Sequence, residues 1–195
     1  MIIIGVGCGP GMLTEQAIRA IRLAKKIYGS DRAIEIARGF ISPECEVRTI
    51  DDFKSLHQLP EDIVVLSTGD PMLAGLGYLS GTVIPGISSL QVAAARLHIP
   101  IARIAVVVAH GKGHEKGMSE TLEKVQRGKI VYLLADPKFD VGELYHRLLA
   151  LNCRPLRIAV CENLGYPEER IDVGEIASPP LPRADLYSLV VGNFF

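Results

Sequence analysis

Short apolar runs alternate with amphipathic stretches along the whole chain. "IIIGVG" reads as a strand beginning almost at the first residue, and Thr14 then precedes "EQAIRAIRLA", where apolar positions recur at helical spacing with Thr14 as N-cap. "KKIY" reads as a short strand, "DRAIEIAR" as an amphipathic helix and "CEVRTI" as a strand, while "DIVVLST" is the strongest central strand of the first half. "MLAGLGYLS" and "SLQVAAARL" read as small-residue helices, and "IARIAVVVA" contains another strand. After the polar, glycine-rich "HGKGHEKG" the alternation resumes: "SETLEKVQ" helix, "KIVYLLA" strand, "VGELYHRLLAL" helix, "LRIAVCE" strand, then "ERIDVGEIA" and "LYSLVVGN" as strands. Strand and helix alternating throughout predict an α/β architecture. The break at "HGKGHEKG" predicts two small α/β domains, residues 1–109 and 118–195, joined by a linker at 110–117, with a ligand cleft between them.

Composition narrows the function classes. Apolar residues make up 48% of the 195 and charged residues 22%, enough for a real core and against disorder. A formal net charge of -1 and the lack of a basic stripe argue against nucleic-acid binding through phosphates. Cys8, Cys45, Cys153 and Cys161 are scattered without a C-x-x-C, which argues against a disulfide framework or a cysteine zinc site. The N-terminus lacks a basic n-region, and no apolar run reaches the length of a membrane span, so a soluble cytoplasmic protein is the expectation.

Two glycine-rich turns carry the candidate chemistry. "GVGCGPG" fails the dinucleotide fingerprint in both registers: counted from Gly5 the last glycine falls on Pro10, and counted from Gly7 on Met12. Ile4 stands where the common Rossmann-like methyltransferases carry an acidic residue, and Lys112 has no Ser or Thr after it to make a P-loop. "STGDPMLAGLG" follows a buried strand with a Gly-Asp-Pro turn, the place where α/β proteins hold small ligands.

Four stretches in this order, "GVGCGPGMLT", "STGDPMLAGLG", "VIPGISSLQVAAARL" and "NLGYPEERI", resemble the tetrapyrrole methylase family over essentially the whole chain. Within that family, "PGISSLQVAAARL", "AHGKG" and "ENLGYPEERI" are similar to the precorrin-7 C5-methyltransferases of the cobalamin pathway. Thr68 stands where many relatives have Ser or Ala before Gly-Asp.

The resemblance implies S-adenosylmethionine as cofactor, S-adenosylhomocysteine as product, and a polycarboxylate tetrapyrrole as acceptor. It implies cofactor contacts from Gly69, Asp70, Leu73, Ser88 and Ser89 on the N-terminal side, and from Leu133, Leu134, Glu162 and Asn163 on the C-terminal side. Gly7, Cys8 and Gly9 would border the substrate, with His110 and Lys112, beside His114, Lys116 and Arg38, as candidates for its carboxylates. Each residue has a plainer reading. Ser88 and Ser89 can simply cap a helix, Asp70 can stabilise its own turn, Cys8 can be a small buried hydrophobe, and the basic run can be a solvated linker.

No catalytic base or nucleophile is expected, because methyl transfer from a sulfonium needs mainly alignment. No metal site is expected either: glycines between His110 and His114 argue against a helix presenting both, and any cobalt belongs to the substrate. The expected activity is C5 methylation alone. The C15-methylating decarboxylase would reside on a separate polypeptide, and the family resemblance implies a homodimer. The alternatives are methylation at another ring carbon, a diphthamide-pathway methylase, and a module that binds adenosyl compounds without turnover.

Overall fold

This computed structural model describes residues 1–151 and 156–195, so Cys153 lies outside the described residues. The chain divides into two compact units, Met1–Ser89 and Leu90–Phe195, each built on one five-stranded sheet.

The first unit runs β1 (Ile2–Gly5), α1 (Glu15–Leu23), β2 (Lys26–Gly29), α2 (Asp31–Ala37), β3 (Glu46–Thr49), β4 (Val64–Ser67), α3 (Pro71–Ala74) and β5 (Thr82–Ile84). Its sheet has the order β3-β2-β4-β1-β5, and every pair is parallel. Thr14 caps α1 as expected, its hydroxyl accepting the Ala17 N–H at 3.1 Å, and Ser30 caps α2 in the same way. Period-two alternation splits the two central strands between two cores. Ile4 and Leu66 pack with Ala17, Ile21 and Ala33 of the helices, while Ile3 and Val65 pack with Leu56, Leu76 and Leu79 on the other face. The helix expected over "MLAGLGYLS" stops at Ala74, because Gly75 leaves the helical region (φ -138°, ψ -115°) and the chain turns Leu76 and Leu79 into the core.

In the second unit α4 (Ser89–Arg96), which begins at the division, is followed by β6 (Ile104–Ala109), α5 (His114–Gln126), β7 (Ile130–Ala135), α6 (Val141–Ala150), β8 (Arg157–Glu162), β9 (Arg170–Glu175) and β10 (Tyr187–Gly192). The sheet order is β6-β7-β10-β8-β9. Only β6 and β7 pair in parallel; β10 runs antiparallel to both β7 and β8. β6, β7 and β8 therefore point the same way, and the residues that follow them share one edge of the sheet. Val107, Leu133, Ile158 and Leu189 pack with Met118, Leu144 and Leu148 of α5 and α6.

The α/β architecture is as the alternation predicts, but the division is not at 110–117. β6 belongs to the second sheet through six paired residues with β7, and His114–Gly117 is the first turn of α5. Gly117 is there for packing: a Cβ on it would lie 2.5 Å from that of Ala109, so the glycine lets α5 lie close on β6. Among the described residues, no helix is long and apolar enough to cross a membrane.

Candidate functional site

In the first unit the ends of β1, β4 and β5 meet through close backbone contacts. Gly7 and Gly69 form an isolated antiparallel bridge, with Gly69 N donating to Gly7 O at 2.8 Å and Gly7 N to Gly69 O at 3.2 Å. Cys8 N donates to Ile87 O at 2.9 Å, bringing the third strand's exit into the same cluster. The approach is so close that a Cβ on Gly86 would lie 2.2 Å from Gly69 O, and one on Gly5 2.5 Å from Gly86 N. Gly7 and Gly69 both take left-handed backbone, φ +82° and +72°. A Cβ on Gly69 would meet nothing nearer than the Ser88 Cα at 3.9 Å, so a small group has room on that side of the turn. A close-packed cradle of glycine backbone with room on one side suits a ligand held by main-chain groups.

Residues expected to touch the cofactor fall into two groups. Ser88 is buried beside Gly69 at this cradle, Ser89 opens α4, and Leu73 lies in α3 directly after the Gly-Asp-Pro turn. Asp70 is also here, yet its carboxylate already has work. Oδ1 accepts the Met72 N–H at 2.7 Å, capping α3, and Oδ2 accepts the Gly86 N–H at 3.0 Å, tying β4's turn to β5's. Both carboxylate oxygens of Asp70 thus support the cradle. Gly7, Cys8 and Gly9 are buried, and the Cys8 thiol lies 3.6 Å from Met12 Sδ, a packing role rather than a covalent one.

In the second unit the expected residues lie at the shared edge after β6, β7 and β8. Strand alternation separates the leucine pair. Leu133 is fully buried in the helix-facing core, whereas Leu134 faces the opposite side and is half-buried. Glu162 is 2% exposed, and its Oε1 accepts the N–H groups of Arg183 and of Ala184 (2.7 Å), while Arg170 lies 3.5 Å from Oε2. This carboxylate clamps the 183–184 loop instead of facing outward. Asn163 follows in left-handed conformation (φ 47°), its N–H donating to Leu186 O at 3.0 Å. His110 and Lys112 sit on an exposed turn between β6 and α5.

Asp136, the residue after β7, organises that turn. Its Oδ2 accepts the Gly111 N–H at 2.7 Å and lies 2.9 Å from His114 Nε2, while Oδ1 accepts the Lys138 N–H at 2.9 Å. The His114 hydrogen bond, then that from Gly111, holds its carboxyl down at about 2. His110 Nδ1 is 3.9 Å from the same oxygen; although the ring is solvent-exposed, partial desolvation lowers its affinity for a proton, and the charge of Asp136 opposes this. Among the described residues, no group of three His, Cys, Asp or Glu side chains is placed to hold a metal ion. Gly5, Gly86 and Asp136 are the site-building residues that sequence reasoning missed. The glycine in "VIPGISS" and the Asp-Pro after "KIVYLLA" were their signals.

Comparison with known proteins places this geometry. Residues 1–180 match the family model of the tetrapyrrole (corrin/porphyrin) methylases. The chain is 30% identical over 192 residues to a probable cobalt-precorrin-7 C(5)-methyltransferase of Methanocaldococcus jannaschii, covering 86% of each. A precorrin-6Y C(5,15)-methyltransferase [decarboxylating] of a Sinorhizobium species is 26% identical, and the chain spans 44% of its length. The crystal structure of a cobalamin-biosynthesis precorrin-6Y methylase from Archaeoglobus fulgidus superposes with a TM-score of 0.76 at 31% identity, covering 98% of this chain and 96% of that one. With the glycine cradle, the Gly-Asp-Pro turn and a match over nearly the whole sequence, the chain belongs to the tetrapyrrole methylase family of S-adenosylmethionine-dependent methyltransferases.

Proposed function

We propose that this methylase transfers a methyl group from S-adenosylmethionine to C5 of precorrin-7 or cobalt-precorrin-7 in cobalamin biosynthesis, without the C15-methylating decarboxylase activity. The observation that carries the reading is the likeness to the Methanocaldococcus C5 enzyme across most of both chains. Bound S-adenosylmethionine supplies an electrophilic methyl on its sulfonium. The chain's own task is to orient and to exclude water, for which alignment is the dominant contribution. Gly69, with Leu73, Ser88 and Ser89, holds the cofactor through backbone and hydroxyl groups, and Asp70 keeps that backbone in place. In the second unit Leu134 offers an apolar wall and Asn163 a polar group, with Leu133 and Glu162 as their supports. Gly7, Cys8 and Gly9 border the macrocycle, and His110 and Lys112 meet its carboxylates. The acceptor ring supplies its own electron push, so no side chain is assigned as a base.

Two results test this. The protein given methyl-labelled S-adenosylmethionine and cobalt-precorrin-7 places one label per ring, at C5 by NMR, and releases no labelled carbon dioxide from a carboxyl-labelled acceptor. Carbon dioxide appearing in step with methyl transfer, or a methyl at another carbon, overturns the assignment. The second result concerns charge. Lys112→Glu with Lys116→Glu raises KM for the acceptor by about tenfold while S-adenosylhomocysteine affinity holds, and the difference shrinks with added salt as exposed charges are screened. Unchanged KM at low salt returns this segment to a solvated surface loop.

A further inference from the structure

The turn between β6 and α5 has little to hold it except one side chain. His110, Gly111 and Lys112 are exposed, no heavy atom apart from the local backbone and chain neighbours lies within 4 Å of where a Cβ on Gly111 or Gly113 would sit, and Gly111 has φ +60°. Its internal bond is Gly113 N to His110 O at 3.1 Å. Such a segment would sample many conformations unless anchored from outside. The anchor is Asp136, at the end of the neighbouring parallel strand, whose one oxygen takes both the Gly111 N–H and the His114 ring.

Asp136 is itself fixed from three sides. Its carbonyl accepts the Tyr187 hydroxyl at 3.1 Å and the Phe139 N–H at 3.0 Å, and its second oxygen takes the Lys138 N–H. Phe139 also packs edge-on against His114, with ring centroids 5.7 Å apart. A bond network of this density around an otherwise exposed turn keeps it in one conformation.

The charges around it have a direction. Glu115 is engaged by Arg147 at 2.8 Å and Asp140 caps α6, so the acidic groups next to the turn are occupied. Among the described residues, Lys112, Lys116 and Lys138 have no acidic partner within 4.0 Å. Ordering these cations in advance removes an entropy cost that a polyanionic ligand would otherwise meet on binding.

We propose that Asp136 is a positioning residue for acceptor recognition: through Gly111 and His114 it fixes the 110–113 turn so that His110 and Lys112 face the carboxylates of the tetrapyrrole. This rests on the reading of His110 and Lys112 as acceptor-binding residues. The role is separate from cofactor binding and from methyl transfer, so its signature is a rise in acceptor KM alone.

The test is steady-state turnover of cobalt-precorrin-7 by the full chain, with calorimetry of S-adenosylhomocysteine. Asp136→Ala raises acceptor KM by about tenfold with kcat and S-adenosylhomocysteine affinity within about twofold of wild type. Asp136→Asn, which keeps one acceptor oxygen, falls between. Adding Lys112→Glu to Asp136→Ala costs less than the two effects multiplied, because both act through one turn. Should Asp136→Ala fail to fold, His114→Ala, which removes a single partner, carries the test with an expected rise of about threefold. An unchanged KM in a folded variant, or an equal loss of S-adenosylhomocysteine affinity, overturns the positioning role. If Lys112→Glu with Lys116→Glu is also silent, the acceptor-site reading itself has failed. If that pair acts and Asp136→Ala does not, only the positioning role has.

Discussion

Gly86→Ala will abolish S-adenosylhomocysteine binding and lower the melting temperature steeply. The new Cβ would stand 2.2 Å from Gly69 O and 2.7 Å from the carbonyl carbon of Gly5. Both are backbone atoms, one in β1 and the other in the Gly7–Gly69 bridge, so neither can swing away as the end of a side chain would. β5's exit must move instead. That stretches the Asp70–Gly86 bond and the Cys8–Ile87 bond, and displaces Ser88, which lies beside Gly69. Overpacking in a well-packed region typically costs about 1–3 kcal/mol, and a clash against fixed backbone belongs at or above the upper end. Wild type should melt higher with S-adenosylhomocysteine present, as any ligand preferring the folded state requires, and the variant should show no such shift. Gly113→Ala is the control, having no neighbour within 4 Å and no left-handed φ, and its thermal melt should match wild type closely. A Gly86→Ala protein with normal melting and normal calorimetric heat would show that the cradle yields and is not the cofactor's seat.

The α/β alternation was legible because hydrophobic period alone fixes it: "IIIG" and "VVLS" each divide their side chains between two cores. The unit boundary was not. "HGKGHEKG" has the composition of a linker, but Gly117 marks helix-on-strand contact, and the real division at Ser89 and Leu90 falls at the start of a helix with no change of composition. Leu133 and Leu134 could have been separated in advance, since neighbours on a strand face opposite ways. The roles of Asp70, Glu162 and Asp136 could not. Their partners Gly86, Ala184 and Gly111 lie 16, 22 and 25 residues away, and a carboxylate near a predicted site reads as a ligand contact until the backbone N–H groups it serves are placed beside it.

Asp70 shows how far that difference reaches. As a cofactor contact it would cost affinity when removed and leave folding intact. As the structure has it, Asp70→Ala strands two backbone donors. Met72 N–H loses its cap, worth about 1 kcal/mol, and the buried Gly86 N–H loses its acceptor, worth about 1–3 kcal/mol. The expected result is therefore a loss of stability of about 2–4 kcal/mol in denaturant unfolding, with weakened S-adenosylhomocysteine binding following from a loosened cradle. Asp70→Ser separates the two bonds. Serine can still cap α3, but its shorter side chain does not span to Gly86, so its stability should lie between alanine and wild type. Asp70→Asn keeps one oxygen and turns the other into an N–H donor facing a donor, and should fall closer to alanine than its size suggests. Wild-type stability in all three, with affinity alone reduced, would return Asp70 to the cofactor's own contacts and detach it from the strand ends it joins.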